Sequence, residues 1–215
     1  MSLRSIKTYK APKGVKVNGI HISAGNRKVR FPILSVGAAL DCASRRWCPF
    51  DGDKYKEAGR RRCYAQISEL LRPSVLVSRR RNEAIIAALS GKAIQETADR
   101  IARAVAGMLK GKRKGKRIMR INEAGDLSRN NIEFVCAVIK ACKALDIACY
   151  LYSKAPPLYR RLAQEAGATV LHSEHEFIAV PTVAAGKATG LNRCPGVCGP
   201  CVACPSGVKS WIVEH

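Results

Sequence analysis

Hydrophobic positions recur along this chain with two different periods, and the switches between them mark its elements. Lys16 to Ser23 (KVNGIHIS) and Val29 to Val36 (VRFPILSV) are short apolar-rich runs around the turn residues Ala24-Gly25-Asn26, which predicts two strands. Helical spacing follows at Ser78 to Leu89 and at Ala93 to Leu109, where Ile94, Ala98, Ile101 and Val105 share one face. From Arg117 onward the two periods alternate. IMRIN, ending at Asn122, reads as a strand, and Ser128 reads as the N-cap of a helix lined by Ile132, Val135, Cys136 and Ile139. Ile147 to Tyr152 (IACYLY) is a further strand. Pro156 and Pro157 open a helix through Ala166 that Gly167 stops, and Ala168 to His172 is the next strand. Strand and helix repeating at this spacing predict an α/β fold with a mostly parallel sheet and crossover helices.

Length and composition refine that picture without changing it. At 215 residues with 47% apolar content, the chain can fill a core and is expected to be one domain over 1–215. Its first 15 residues read as a basic arm, 41–65 as a cysteine- and arginine-bearing loop, and 193–205 as a second cysteine segment. No run approaches the roughly 18–20 apolar residues of a membrane span. Met1 to Arg30 is basic and polar, without the apolar core of a secretory signal, so a cytoplasmic protein is expected.

Charge adds a partner. Thirty-eight Lys and Arg face 16 Asp and Glu, a formal +22, and a field of that sign attracts polyanions, nucleic acid foremost. The basic runs are Arg60-Arg61-Arg62, Arg79-Arg80-Arg81 and Lys110 to Arg117 (KGKRKGKR), the last contributing Lys110, Lys112, Arg113, Lys114, Lys116 and Arg117. That stretch, between a helix and a strand and interrupted by glycines, suits phosphate contacts without base reading, on DNA or RNA alike. Aromatic residues are only 6% of the chain, leaving Trp47, Phe50 and Tyr64 as the stacking candidates nearest a basic run.

Cysteine usage points to a metal. Ten cysteines in a reducing compartment are not expected to form disulfides. Cys136, Cys142 and Cys149 lie in apolar helix and strand segments and read as core residues. RCPGVCGPCVACP places Cys194, Cys198, Cys201 and Cys204 among Pro195, Gly196, Gly199, Pro200 and Pro205. So many prolines and glycines exclude helix and strand there, and tight turns let thiolates converge under backbone N–H groups, as an iron–sulfur cluster requires. Zinc also takes four cysteines, although its ribbons usually separate the two ligand pairs by a longer stretch. Cys42, Cys48 and Cys63 occupy a loop rich in arginine, where cationic neighbours are expected to favour the thiolate. The seven cysteines outside the core would serve one or two [4Fe–4S] clusters, or zinc.

Other candidates sit at strand ends. Glu123 and Asp126 follow the IMRIN strand at the carboxyl end, where α/β sheets place ligands, and are the candidate acid or base groups; Asp126 equally suits capping of the next helix. His172 and His175, in LHSEHEF, are candidate ligands or proton carriers.

The cysteine loop ending Cys63-Tyr64-Ala65, the segment Arg120 to Leu127 (RINEAGDL) closing a strand, and the C-terminal Cys-Pro with further cysteines resemble the phage gene-product-88-like family over Phe31 to Trp211. They are also similar, more distantly, to radical-SAM barrels. That likeness implies a partial (βα) barrel with Cys42, Cys48 and Cys63 on a [4Fe–4S] cluster. It also implies that Glu123, Gly125 and Asp126 lie near the SAM amino group. Here the cysteine gaps are five and fourteen residues, Arg62 precedes Cys63, and the glycine pair is reduced to Gly125. Three functions stay open: a nucleic-acid-binding iron–sulfur protein with a structural or redox-sensing cluster, a radical-SAM-like enzyme, and a zinc-stabilised nucleic-acid-binding protein.

Overall fold

A computed structural model describes residues 13–26, 29–46, 48, 51, 63–112, 117–172, 177–180, 192–193 and 210–213. The chain opens with β1 (Val15–Val17) and β2 (Ile20–Ile22), an antiparallel hairpin. Lys16 to Ser23 is therefore not the single strand its composition predicts. It folds back at Asn18-Gly19, both with positive φ (50° and 84°), the backbone that a two-residue hairpin turn of right-handed twist requires.

Four parallel strands form the main sheet: β3 (Ile33–Leu34), β4 (Ile118–Ile121), β5 (Ala148–Ser153) and β6 (Thr169–His172). They lie in sequence order, with Ile33 beside Arg120, Arg120 beside Tyr150 and Tyr150 beside Thr169. A 3-10 turn, Ala43–Arg46, and three helices, α1 (Tyr64–Leu71), α2 (Pro73–Ala88) and α3 (Lys92–Met108), connect β3 to β4. Then α4 (Ile132–Ala144) joins β4 to β5, and α5 (Pro157–Glu165) joins β5 to β6. The described strands make a mixed α/β protein with an open parallel sheet and no closed barrel. A separate three-stranded sheet holds β7 (Phe177–Val180), β8 (Asn192–Arg193) and β9 (Ser210–Val213), in the order β7-β9-β8.

Parallel strands in sequence order, joined by crossovers of the usual right hand, put their helices on one face. The packing agrees. Leu34, Met119, Ile121, Cys149 and Leu151 join Ile94, Ala98, Ile101 and Val105 of α3 and Phe134, Val135 and Val138 of α4 in one core. Cys142 and Cys149 are buried in it and Cys136 packs at its margin, so all three keep the apolar surroundings their segments suggested. Alternation along the strands sends Ile33, Ile118, Tyr150 and Tyr152 to the other face, where they pack with Val29 and Phe31.

Helix α4 starts later than its cap signal suggests. Asn131 is the N-cap rather than Ser128; the Ser128 carbonyl accepts from the N–H groups of Asn131 and Ile132, and Asn131 Oδ1 accepts from the Ser128 N–H at 2.9 Å. Helix α1 overlaps the expected loop 41–65 only at Tyr64 and Ala65 and otherwise lies where no element was predicted, and α2 begins at Pro73, five residues ahead of the predicted Ser78. Among the described residues no helix is long and apolar enough to cross a membrane.

Candidate functional site

The loops after β3 and β4 meet at the carboxyl edge of the sheet, and glycine permits the contact. Gly125 has φ 74°, and a Cβ there would lie 2.8 Å from the Gly37 carbonyl oxygen. The two chains touch backbone to backbone.

Asp126 then ties three segments together. Its carboxylate is buried and accepts from Ser44 Oγ and Ser153 Oγ, both at 2.6 Å, and from the N–H groups of Leu127 (2.7 Å) and Lys154 (2.8 Å). Ser44 belongs to the cysteine loop, Ser153 ends β5, and Lys154 follows it. An ionised carboxylate with four donors is well compensated for its burial. This anchoring role is larger than the capping role that the sequence allowed, and it occupies every oxygen lone pair a ligand amine would need.

Glu69 of α1 does the same one layer away. Buried to 1% exposure, it accepts from the N–H groups of Ala39 (2.7 Å) and Leu40 (2.9 Å) and pairs with Arg79 at 2.9 Å. Arg79 reaches Glu123 with its other nitrogen at 3.1 Å, and Glu123 also accepts from Asn26 at 2.7 Å. Asp51, Gln66 and Arg45 brace the far side: Gln66 donates to Asp51 at 2.5 Å and Arg45 pairs with Asp51 at 2.9 Å. Of these residues, Glu69, Gln66 and Asp51 did not stand out by pattern. Glu69 and Gln66 lie at an i, i+3 spacing on the α1 face that meets the cysteine loop, a signal visible only once α1 is known to be a helix.

Cys42, Cys48 and Cys63 are drawn to this scaffold. None of the three is in a disulfide and all are partly buried; Cys63 is the N-cap of α1, and the Cys48 N–H bonds the Ser44 carbonyl at 3.0 Å. Cys48, Cys63 and Asp126 are all charge neighbours of the Cys42 thiol. The arginine-rich setting was expected to ease ionisation. Burial wins instead: it pushes the Cys42 thiol up to about 12, Asp126 and the two other thiols add to the rise, and the Ser44 backbone N–H opposes it. Arg45 gives no relief, because it is spent on Asp51 and on the Leu40 carbonyl. Among the described residues no three His, Cys, Asp or Glu side chains form a ready metal cage. Cys194, Cys198, Cys201, Cys204, His175, Trp47 and Phe50 lie outside the described residues, as do Arg60, Arg61, Arg62, Arg113, Lys114 and Lys116. His172 is the last residue of β6, at the same carboxyl edge.

The basic residues divide by environment. Arg79, expected on a phosphate-binding surface, is 7% exposed and held between two carboxylates, so it faces inward. Arg80 is exposed but forks onto Asp41 at 2.6 and 3.1 Å. Arg81, Lys110 and Lys112 are exposed, and Arg117 is half-buried.

A second polar feature occupies the face opposite α3 and α4. The Arg120 guanidinium lies 5.3 Å from the Tyr152 ring centre, donates to Tyr64 Oη at 3.2 Å and reaches the Asn122 carbonyl at 3.4 Å. Tyr64 Oη in turn donates to the Glu123 carbonyl at 3.1 Å. Burial opposes the charge on Arg120, but Tyr64, Tyr150 and Glu123 more than offset it and hold its pKa above the ordinary value.

These features define an α/β protein whose sequentially ordered parallel sheet carries, at its carboxyl edge, a cysteine loop pinned by buried carboxylates. The chain belongs to the Gene product 88 family, whose model matches residues 5–170. The matched span stops short of the C-terminal cysteine segment, which the resemblance seen in the sequence had included. No curated protein and no solved structure matches the chain, and no comparison supports the radical-SAM likeness.

Proposed function

We propose that this protein carries an iron–sulfur cluster on its cysteine loop and binds nucleic acid through its basic surface, the cluster being structural or redox-sensing. The observation that supports the reading is that Cys48 and Cys63 of the same loop, and Asp126 from the loop after β4, are near enough to Cys42 to act on its thiol as charges. The donor set fits the group chemically. Thiols are the ligands an iron–sulfur cluster takes, and the Ser44 N–H on the Cys42 sulfur is the kind of hydrogen bond that stabilises a charged thiolate. Cys42, Cys48 and Cys63 would hold one cluster, with the fourth ligand from elsewhere in the chain or from a small molecule. Cys194, Cys198, Cys201 and Cys204 would hold a second.

Asp126 adds a constraint. Its charge, added to burial, disfavours ionisation of the Cys42 thiol, so metal loading at Cys42 would release a proton. For nucleic acid, the formal +22 supplies the attraction, with Arg81, Lys110, Lys112, Arg113, Lys114, Lys116 and Arg117 as the phosphate contacts.

Anaerobic purification followed by iron, sulfide and zinc analysis tests the cluster. Iron and sulfide with a broad visible absorption are expected, and Cys42→Ser should lower both. Colourless protein with stoichiometric zinc would replace the cluster by a zinc centre. Nucleic-acid affinity should fall with salt at a log–log slope near −0.9 per phosphate contacted on duplex DNA. A flat response removes the basic surface from the reading.

A radical-SAM-like activity has one observation in its favour: the cysteine loop follows the first parallel strand, and the Glu123–Asp126 segment follows the next. Against it, both carboxylates are spent inside the protein. SAM binding and reductive cleavage by the loaded protein would establish it.

A further inference from the structure

On the face of the main sheet opposite α3 and α4, a positive charge stands with no carboxylate partner among the described residues. Arg120 is the third residue of β4, and its neighbours are a phenol, a carbonyl and an aromatic ring. Among the described residues no carboxylate lies within ion-pairing distance of it. Glu123 is near enough to be felt as a charge, yet its oxygens are taken by Arg79 and Asn26. Interior arginines are usually satisfied by a carboxylate fork.

Two residues further on, Asn122 repeats the pattern with a neutral group. It is 3% exposed and holds φ at 60°, a left-handed conformation that costs energy for a residue with a side chain. Its Oδ1 accepts from the Val36 N–H at 3.4 Å, and among the described residues its buried Nδ2 has no hydrogen-bond partner. Buried donors without acceptors are rare in folded proteins, and each one asks for an explanation. The guanidinium lacks a carboxylate and the amide nitrogen lacks an acceptor, and the two residues lie two positions apart where β4 ends. A group that only accepts would meet both.

We propose that the carboxyl end of β4 binds the oxyanion group, phosphate or carboxylate, of a small ligand, with Arg120 supplying the charge and Asn122 Nδ2 a neutral donor. Tyr64 and Tyr152 flank the guanidinium and fix its plane. Because Tyr64 directly follows Cys63, occupancy of this site also bears on the first turn of α1, which starts at the cysteine loop. The site does not depend on the cluster reading, and it stands if the cysteines bind zinc or nothing.

The test is a titration of the full chain, labelled with nitrogen-15, at fixed ionic strength. Inorganic phosphate, acetate and chloride are the three probes, and the Arg120 Nε–Hε and Asn122 side-chain amide signals are followed. Saturable shifts of both with phosphate or acetate, absent with chloride, are expected. Whichever of the two saturates at lower concentration identifies the oxyanion. Exposed Arg81 serves as the reference for unspecific attraction to a basic protein. If Arg120 and Asn122 move no more than Arg81, or if chloride moves them equally, the proposal fails. Arg120→Lys should raise the apparent dissociation constant about tenfold or more, because lysine keeps the charge and loses the planar fork. If that variant does not fold, Tyr64→Phe, which removes the hydroxyl between Arg120 and the Glu123 carbonyl, should weaken binding by a smaller factor, and unchanged binding in it overturns the site; unchanged binding in a folded Arg120→Lys protein does the same.

Discussion

The two faces of the parallel sheet are built from the same four strands and solve different problems. On one, Leu34, Met119, Ile121, Cys149 and Leu151 meet α3 and α4 in one apolar cluster. On the other, Ile33, Ile118 and Tyr150 are buried against Phe31 and Val29, while Arg120 and Tyr152 stand among hydroxyls and carbonyls. Phe31, Tyr150 and Tyr152 meet edge to face there, with ring centres 5.7 and 5.9 Å apart. The first face is closed by crossover helices that the chain must make to keep its strands parallel. The second, among the described residues, is lined by aromatic side chains and Arg120, and it adjoins the edge where the polar anchors gather. Apolar packing and polar contacts have separated across one sheet.

That separation is breakable. Phe134→Ala on the helix-covered face empties a site of 2% exposure and should cost about 3–5 kcal/mol, read from denaturant melts. Tyr152→Ala on the other face should cost much less, since Tyr152 is only partly buried. Equal losses would mean that the two faces are not distinct. Next in size is Asp126→Asn. It places an amide where four donors converge, stranding at least one buried donor at a cost of about 1–3 kcal/mol. Because Asp126 also raises the Cys42 thiol, the same change should lower that thiol's pKa, measured by the pH dependence of its alkylation.

Cys42 supplies a third test through its own titration. Its thiol is pushed up to about 12, from an ordinary value near 9, so between those values the folded metal-free chain holds a proton that the unfolded chain releases. Stability is therefore complete below about pH 9 and declines as pH rises toward 12. Cys42→Ser should flatten that part of the stability curve. The same proton makes metal affinity climb with pH over the range where the thiol must be stripped to bind.

How much of this was legible in the sequence differs between the two faces as well. Period-2 and period-3.6 patterns placed β4, β5 and β6, helices α3 to α5 and the parallel arrangement, because burying an apolar stripe is a local demand written every second or every third to fourth residue. Ile94, Ala98, Ile101 and Val105 form the buried stripe of α3 as their spacing implied. The hairpin at Asn18-Gly19 was equally local and carries the strongest short turn signal known, yet its flanking runs of three residues are too short to stand out by alternation. The polar anchors were not legible in the same way. Arg79 sits in a triplet of arginines that reads as surface charge. What turns it inward is Glu69, ten residues away, and Glu123, forty-four residues away, and no local pattern encodes such partners. Asp126 was visible as a candidate, but its donors Ser44 and Ser153 come from two other loops. The cysteines of 42–63 were found from their setting; that burial rather than arginine governs Cys42 needed the fold.

The smallest effect concerns the hairpin, and it separates a local turn from a tertiary clamp. The Asn82 side chain from α2 grips β2 at both backbone groups of His21, accepting from its N–H at 2.8 Å and donating to its carbonyl at 2.9 Å. The His21 ring is partly buried, and burial first, then Lys16 opposite it on β1, lowers its pKa. Below pH 6.5 the unfolded chain therefore takes up a proton that the folded hairpin resists, and stability declines as pH falls through that value toward the folded pKa. The slope cannot exceed that of one proton, and His21→Gln should remove it while leaving the Asn82 clamp intact, since the clamp uses only backbone atoms of residue 21. A local unfolding reporter on β1 and β2, such as amide hydrogen exchange at Val17 and Ile20, should show the acid-side loss first. If exchange there is flat between pH 5 and 7, near the ordinary histidine range, the hairpin is held by Asn82 and the Asn18-Gly19 turn without any contribution from the charge state of His21.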